Sequence, residues 1–132
     1  MKKGFTLLEI IVVIVIIGVL ATLGFVQYAK TLERARGMET RRLLGQLRQA
    51  QLGYYQEYSA YATDITLLAV NAPTACTSTH FFSYSVIGTS TADGVGTASR
   101  CTTGGKNPDA TNTYVVNVTW ATGVWGGTSG YY

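Results

Sequence analysis

Apolar residues fill the chain from Leu7 almost without interruption, and from Ile10 to Ala29 no charged side chain occurs. As a helix rising about 1.5 Å per residue, this run reaches roughly 30 Å, the thickness of a bilayer's hydrocarbon core. Past Ala29 the pattern changes but does not break. Leu32, Ala35, Leu43, Leu47, Ala50, Tyr54 and Tyr58 recur at mostly three- and four-residue spacing among polar residues. That spacing predicts a continuation of the same helix with one apolar side packed on a sheet, ending near Tyr58. Gly37, Gly45 and Gly53 interrupt the pattern, but no proline stands before Pro73 to end it.

Beyond a loop around Asp64 to Thr79 the period shifts to two. Phe82, Tyr84 and Val86 alternate with Ser83 and Ser85, and Tyr114, Val116, Val118 and Trp120 alternate with polar residues, as half-buried strands do. Asp93-Gly94 is a hairpin signal with a return through Ala98 to Cys101. Gly104-Gly105 and Asn107-Pro108 mark another turn, and the run from Val124 to Tyr132 is expected to add an edge strand. Helix followed by antiparallel strands places the chain in the α+β class: a long N-terminal helix, apolar then amphipathic, on a small antiparallel sheet head.

The apolar segment is longer than the 7–15 residues of a removable secretory signal, and it merges into the helical pattern without a turn. It is therefore expected to stay with the protein. Its one anomaly is Glu9, since an acidic side chain at mid-bilayer costs about 2.5–3.5 kcal/mol. One reading places Glu9 at headgroup depth, favoured by the positive end of the helix dipole. The other gives it a cationic partner.

Lys2-Lys3-Gly4 before Phe5-Thr6-Leu7-Leu8-Glu9, followed by the run from Ile10 to Ala21, resembles a type IV prepilin. The resemblance covers about the first thirty residues and is shared by pilins and type II secretion pseudopilins. It implies cleavage between Gly4 and Phe5 by prepilin peptidase and N-methylation of Phe5. The new amine on Phe5 then pairs with Glu9 of its own or a neighbouring chain and sets register during assembly. It also implies a leader at 1–4, a transmembrane and filament-core helix at 5–29, an amphipathic helix at 30–58 and a head at 59–132. Many relatives carry a kinking proline near where Val26 stands. Here only Gly18 and Gly24 can supply helix flexibility, and as small residues they also permit close helix packing.

The 132 residues carry a formal charge of +3, which falls to +1 for side chains once Lys2 and Lys3 leave with the leader. That is no electrostatic footprint for nucleic acid. Cys76 and Cys101, an even count beyond a membrane segment, suggest an oxidising compartment and one disulfide. Lys30, Arg34 and Arg36 follow the span, opposite to the positive-inside rule for an exported head; the cysteines and the cleavage motif outweigh that count. Glu33 and Glu39 are the available partners of these basic residues.

Candidate chemistry is sparse. One histidine and seven carboxylates are scattered along the chain, without the nucleophile and base that catalysis needs. Cys76, His80 and Cys101 lack a fourth zinc ligand, and Asp93 and Asp109 lack the dense oxygen spacing of a calcium loop. Gly104-Gly105-Lys106 lacks the spacing of a phosphate-binding loop. Asn117-Val118-Thr119 fits a glycosylation pattern but falls in a predicted strand. Phe5, Phe25, Tyr28, Tyr54, Tyr55 and Tyr58 are read as packing residues rather than an electron path.

The expectation is a structural subunit, the major pilin of a type IV pilus-like surface filament, with no catalysis and no cofactor. Its partners are further copies in a helical filament, the inner membrane before assembly, and the peptidase and assembly machinery. Its final place is the cell surface, in adhesion, twitching motility or DNA uptake. A pseudopilin of a periplasmic piston and a single-pass anchored binding protein are the alternatives.

Overall fold

A computed structural model describes residues 4–87 and 94–131. Asp93 of the expected Asp93-Gly94 turn and the final Tyr132 lie outside the described residues. One helix, α1 (Leu7–Tyr58), is followed by a short 3₁₀ turn (Ile65–Leu67) and strands β1 (Phe82–Ile87), β2 (Val95–Arg100), β3 (Val115–Thr119) and β4 (Trp125–Gly127). Contacts divide the chain into two compact units, Met1–Ala35 and Arg36–Tyr132.

In the second unit the strands form an antiparallel sheet of order β1-β2-β3-β4. The chain is thus α+β, with the helix packed on a small four-stranded sheet. The alternation read from the sequence is the alternation of burial: Phe82 and Tyr84 on β1, and Tyr114, Val116, Val118 and Trp120 through β3, all point into the core. The terminal strand is shorter than expected. β4 stops at Gly127, whose φ of 125° leaves the region open to other residues. Tyr131 instead stacks on Tyr114 with ring centroids 3.9 Å apart.

Of the apolar stripe expected on α1, Leu47 is fully buried and Leu43, Ala50 and Tyr54 pack partly buried against the core, but the most covered line is centred beside it. Gly37, Thr40, Leu44, Leu47 and Gln51 form the covered line, whereas Leu32, Ala35 and Tyr58 are exposed. The reason is that two members of the true stripe are polar, so hydropathy alone shifts it. Gln51 is fully buried because its amide imitates a strand partner. Its Nε2 donates to the Ala62 carbonyl and its Oε1 accepts from the Ala62 N–H, both at 2.8 Å. This pair holds the chain as it reverses after Ser59, which takes a left-handed φ of 54° beyond the helix end. Asp64 then caps the 3₁₀ turn by accepting from Thr66 N and Oγ1, each at 2.8 Å, and these bonds hold its carboxyl below the usual range.

Two arginines tie the sheet ends. Arg48 on α1 donates to the carbonyls of Trp120 (3.0 Å) and Ala121 (3.3 Å), fixing the β3–β4 turn against the helix. Arg100, buried at the end of β2, donates to the carbonyls of Phe81, Cys101 and Asn107 at 3.0, 3.1 and 2.7 Å. It thereby satisfies backbone groups on both sides of Cys101, which the disulfide joins to Cys76 (Cα–Cα 5.7 Å). Within the sheet large and small residues alternate across strands: Tyr84 faces Ala98, which faces Val116, and Gly96 faces Val118. Gly96 is needed because a Cβ there would overlap the indole of Trp120, a fully buried ring.

Gly96→Ala is accordingly expected to destabilise the second unit by about 2–3 kcal/mol, in the range of overpacked cores. Denaturant unfolding of the detergent-solubilised chain, followed by tryptophan fluorescence, measures it. Adding Trp120→Leu should recover part of the loss, and no change in midpoint for Gly96→Ala alone contradicts this packing.

Burial pushes the Tyr84 hydroxyl up to about 12, and the charge of Glu39 adds to the effect. The Thr40 hydroxyl opposes the shift, although it meets no partner with the distance and angle of a hydrogen bond. The unfolded tyrosine loses its proton near pH 10 and the folded one only near pH 12, so this contribution to stability is complete below pH 10 and declines above it. Between pH 10 and 12 the parent should therefore lose stability more steeply than Tyr84→Phe; parallel stability curves for the two count against the buried hydroxyl.

Candidate functional site

The first unit presents the motif residues at the start of α1. Gly4, Phe5 and Thr6 precede the helix, and Phe5 is exposed. Thr6 and Glu9 form a reciprocal cap. The Thr6 N–H and hydroxyl donate to Glu9 Oε2 at 3.1 and 3.0 Å, and the Glu9 N–H donates to Thr6 Oγ1 at 3.3 Å. Two amide donors at a helix start, where no carbonyl precedes to accept from them, are thereby satisfied. The sequence signal was present: Thr6-Leu7-Leu8-Glu9 has the Ser/Thr-x-x-Glu spacing of a capping box before an apolar run. Reading Glu9 only as a charge in search of a cation passed over Thr6.

The cap decides the local state of Glu9 without using it up. Oε1 accepts no hydrogen bond among the described residues, so one oxygen holds the rotamer and the other can meet a cation. Farther along, the side chains from Leu7 to Val26 are exposed, and the most apolar window has a mean hydropathy of 2.8 with none of it buried in the chain. Its length and composition fit a membrane-anchored precursor. Two hydroxyls bond back to the helix: Thr22 Oγ1 donates to the Val19 carbonyl (2.7 Å), with that of Gly18 at 3.2 Å, and Thr31 Oγ1 donates to the Gln27 carbonyl (2.9 Å). Gly18 and Gly24 lie inside continuous helix, with open space where a Cβ would stand.

The other candidates are structural in this geometry. Cys76 and Cys101 are joined to each other, and His80 Nδ1 lies 2.8 Å from the Thr79 hydroxyl. Among the described residues no group of three or more His, Cys, Asp or Glu side chains converges. Asp109 spends its carboxylate on its own loop, accepting from Thr111 N (3.0 Å), Thr111 Oγ1 (2.6 Å), Asn112 N (3.3 Å) and Asn112 Nδ2 (2.7 Å). The Thr111 hydroxyl and the Asn112 amide lead in holding it far below the usual carboxylate range. Gly104 takes a left-handed φ of 69°, and Gly105 packs on the Cys101 side chain, so Gly104-Gly105 shapes the turn that follows Cys101. Asn117 sits in β3 between Thr97 and Gly126. Tyr54 stacks near Tyr58 at 4.4 Å, and Tyr55 on Tyr61 at 4.7 Å, as local pairs at the helix end.

Comparison with known families finds the prokaryotic N-terminal methylation motif at residues 1–25. The match supports a type IV pilin-like prepilin, of the pilin and pseudopilin group, and with it processing by prepilin peptidase and delivery to an assembly machinery. No curated protein and no solved structure gave a match.

Loss of the cap has a local consequence. Thr6→Ala is expected to weaken the first turn by about 1 kcal/mol, roughly a fivefold faster amide exchange at Glu9, with Thr6→Ser close to the parent. Hydrogen exchange by NMR in micelles checks this, and equal exchange in all three proteins removes the cap from the account.

Proposed function

We propose that this chain is the major structural subunit of a type IV pilus-like surface filament. Prepilin peptidase cuts between Gly4 and Phe5, and Phe5 is then N-methylated. The observation that supports this most directly is a helix whose apolar side chains are exposed around its circumference, broken by one carboxylate, Glu9, five residues after the cleavage position. Before assembly lipid covers that surface; in the filament the helices of neighbouring subunits do. The exchange is nearly neutral for the aliphatic side chains, since lipid tails are as apolar as leucine.

Register then depends on polarity. The Phe5 amine of an incoming subunit meets Glu9, already oriented by Thr6, and a misplaced subunit leaves a desolvated charge without a partner. Because no proline stands in the segment, bending during packing falls to Gly18 and Gly24. The head carries the Cys76–Cys101 staple and faces outward, where it serves adhesion, twitching motility or DNA uptake. Catalysis has no part in this role, and the work of extraction comes from the assembly machinery.

Electron microscopy of material sheared from cells making the chain, with a Glu9→Ala strain beside it and mass spectrometry of the N-terminus, tests the proposal. Long fibres whose subunits begin at methylated Phe5, reduced at least tenfold in the mutant, are the expected result. Processed protein confined to the envelope would instead identify a pseudopilin, and uncut protein an anchored monomer.

A further inference from the structure

The last turn of α1 has no basic residue to meet the carbonyl end of the helix dipole, and the chain leaves it through Ser59 in a left-handed conformation. Tyrosine is concentrated there instead, as Tyr54, Tyr55, Tyr58 and Tyr61. Among the described residues three tyrosine pairs are in ring contact. Tyr61 of the Tyr55–Tyr61 pair and Tyr114 of the Tyr114–Tyr131 pair are buried. In the Tyr54–Tyr58 pair neither ring is: Tyr54 is half-buried and Tyr58 is 57% exposed.

The Tyr54 and Tyr58 ring centres lie 4.4 Å apart with their planes tilted by 31°, the contact that four-residue spacing on a helix produces. Glu57 stands next to Tyr58. Its charge, and then its contact with the hydroxyl, raise the Tyr58 pKa above the ordinary phenol value. A carboxylate so placed is a ready acceptor for the phenol proton. Cys76 and Cys101 are joined to each other, so among the described residues no thiol is at hand to reduce a tyrosyl radical.

We propose that Tyr54 and Tyr58 form an oxidative coupling site, joined as dityrosine by hydrogen peroxide acting through a haem peroxidase. Each phenol gives up one electron and one proton, and the proton of Tyr58 passes through Glu57 to solvent. The two tyrosyl radicals pair to form one bond between ring carbons ortho to the hydroxyls. The hydrogens on those carbons then move to the oxygens and restore both phenols. The protein loses two hydrogens in all, and the peroxide takes two electrons and two protons to become two waters. Tyr58, the more exposed ring, turns its edge toward Tyr54. Coupling within one chain outruns coupling between chains because the two rings are already in contact. The bond staples the last turn of α1, and it requires the folded chain but no filament.

The full chain in detergent is treated with hydrogen peroxide and a haem peroxidase, then reduced and digested with trypsin and with a protease that cuts after glutamate. No Lys or Arg occurs between Arg48 and Arg100, so the cut after Glu57 is the one that separates Tyr54 from Tyr58. The expected result is dityrosine fluorescence in the monomer, with the fragments on either side of Glu57 still joined at their combined mass less two hydrogens. Tyr54→Phe and Tyr58→Phe should each lower that fluorescence about tenfold, and Tyr55→Phe should stay within about twofold of the parent. Glu57→Gln should slow the coupling about threefold. Circular dichroism and disulfide formation confirm that the variants fold. A folded parent without dityrosine, dityrosine confined to covalent dimers, or a yield undiminished in Tyr58→Phe overturns the site, and an unchanged rate in Glu57→Gln removes the carboxylate from the step. Because the readout is made on dispersed chains, its failure is separate from failure of the filament reading.

Discussion

The rest of the molecule depends on a helix segment that the chain itself cannot cover. Fifteen large apolar side chains between Leu7 and Val26 are exposed in the isolated chain. Removing such side chains from water is worth about 1.5–3 kcal/mol each, so their exposure represents tens of kcal/mol, more than the net stability of an ordinary domain. No rearrangement of a head this small could hide that surface. The segment's length and apolar composition fit a membrane-anchored precursor, in line with the N-terminal methylation motif at residues 1–25.

Against that apolar background one carboxylate, Glu9, stands out. Aliphatic contacts between helices discriminate weakly between registers, because one Ile or Val row resembles the next. A carboxylate does discriminate, since burying it unpaired is costly. Thr6 gives Glu9 a defined rotamer through Oε2 and leaves Oε1 outside the cap. Capping the helix and presenting a charge thus fall to one side chain, with the two oxygens dividing the roles.

The head solves a different problem, holding a four-stranded sheet and long loops with a modest core. Much of its irregular backbone is pinned by side chains that act as hydrogen-bonding surrogates: Gln51 on Ala62, Arg48 on the β3–β4 turn, and Arg100 on three carbonyls around the disulfide. Buried donors of this kind leave few backbone groups without partners where no strand is available. They were not legible in the sequence, because a glutamine or arginine at a helical or strand position reads as a solvated side chain until a carbonyl distant in sequence is brought beside it.

The chain's periodicities by themselves determined the long helix, its apolar first half, and the inward faces of β1 and β3. These follow from local geometry, as side chains repeat every 3.6 residues in one case and every two in the other. The motif around Gly4, Phe5 and Glu9 was equally readable, since its spacing is contiguous. Tertiary structure alone decided which helix stripe is covered, because Thr40 and Gln51 belong to it despite their polarity. It also decided that Gly96 must be glycine and that Asp109 is committed to its own loop. Each of these rests on a neighbour's shape or lone pair, supplied by residues such as Trp120, Ala62 and Asn112. Such contacts exist only once the strands and loops have been brought together.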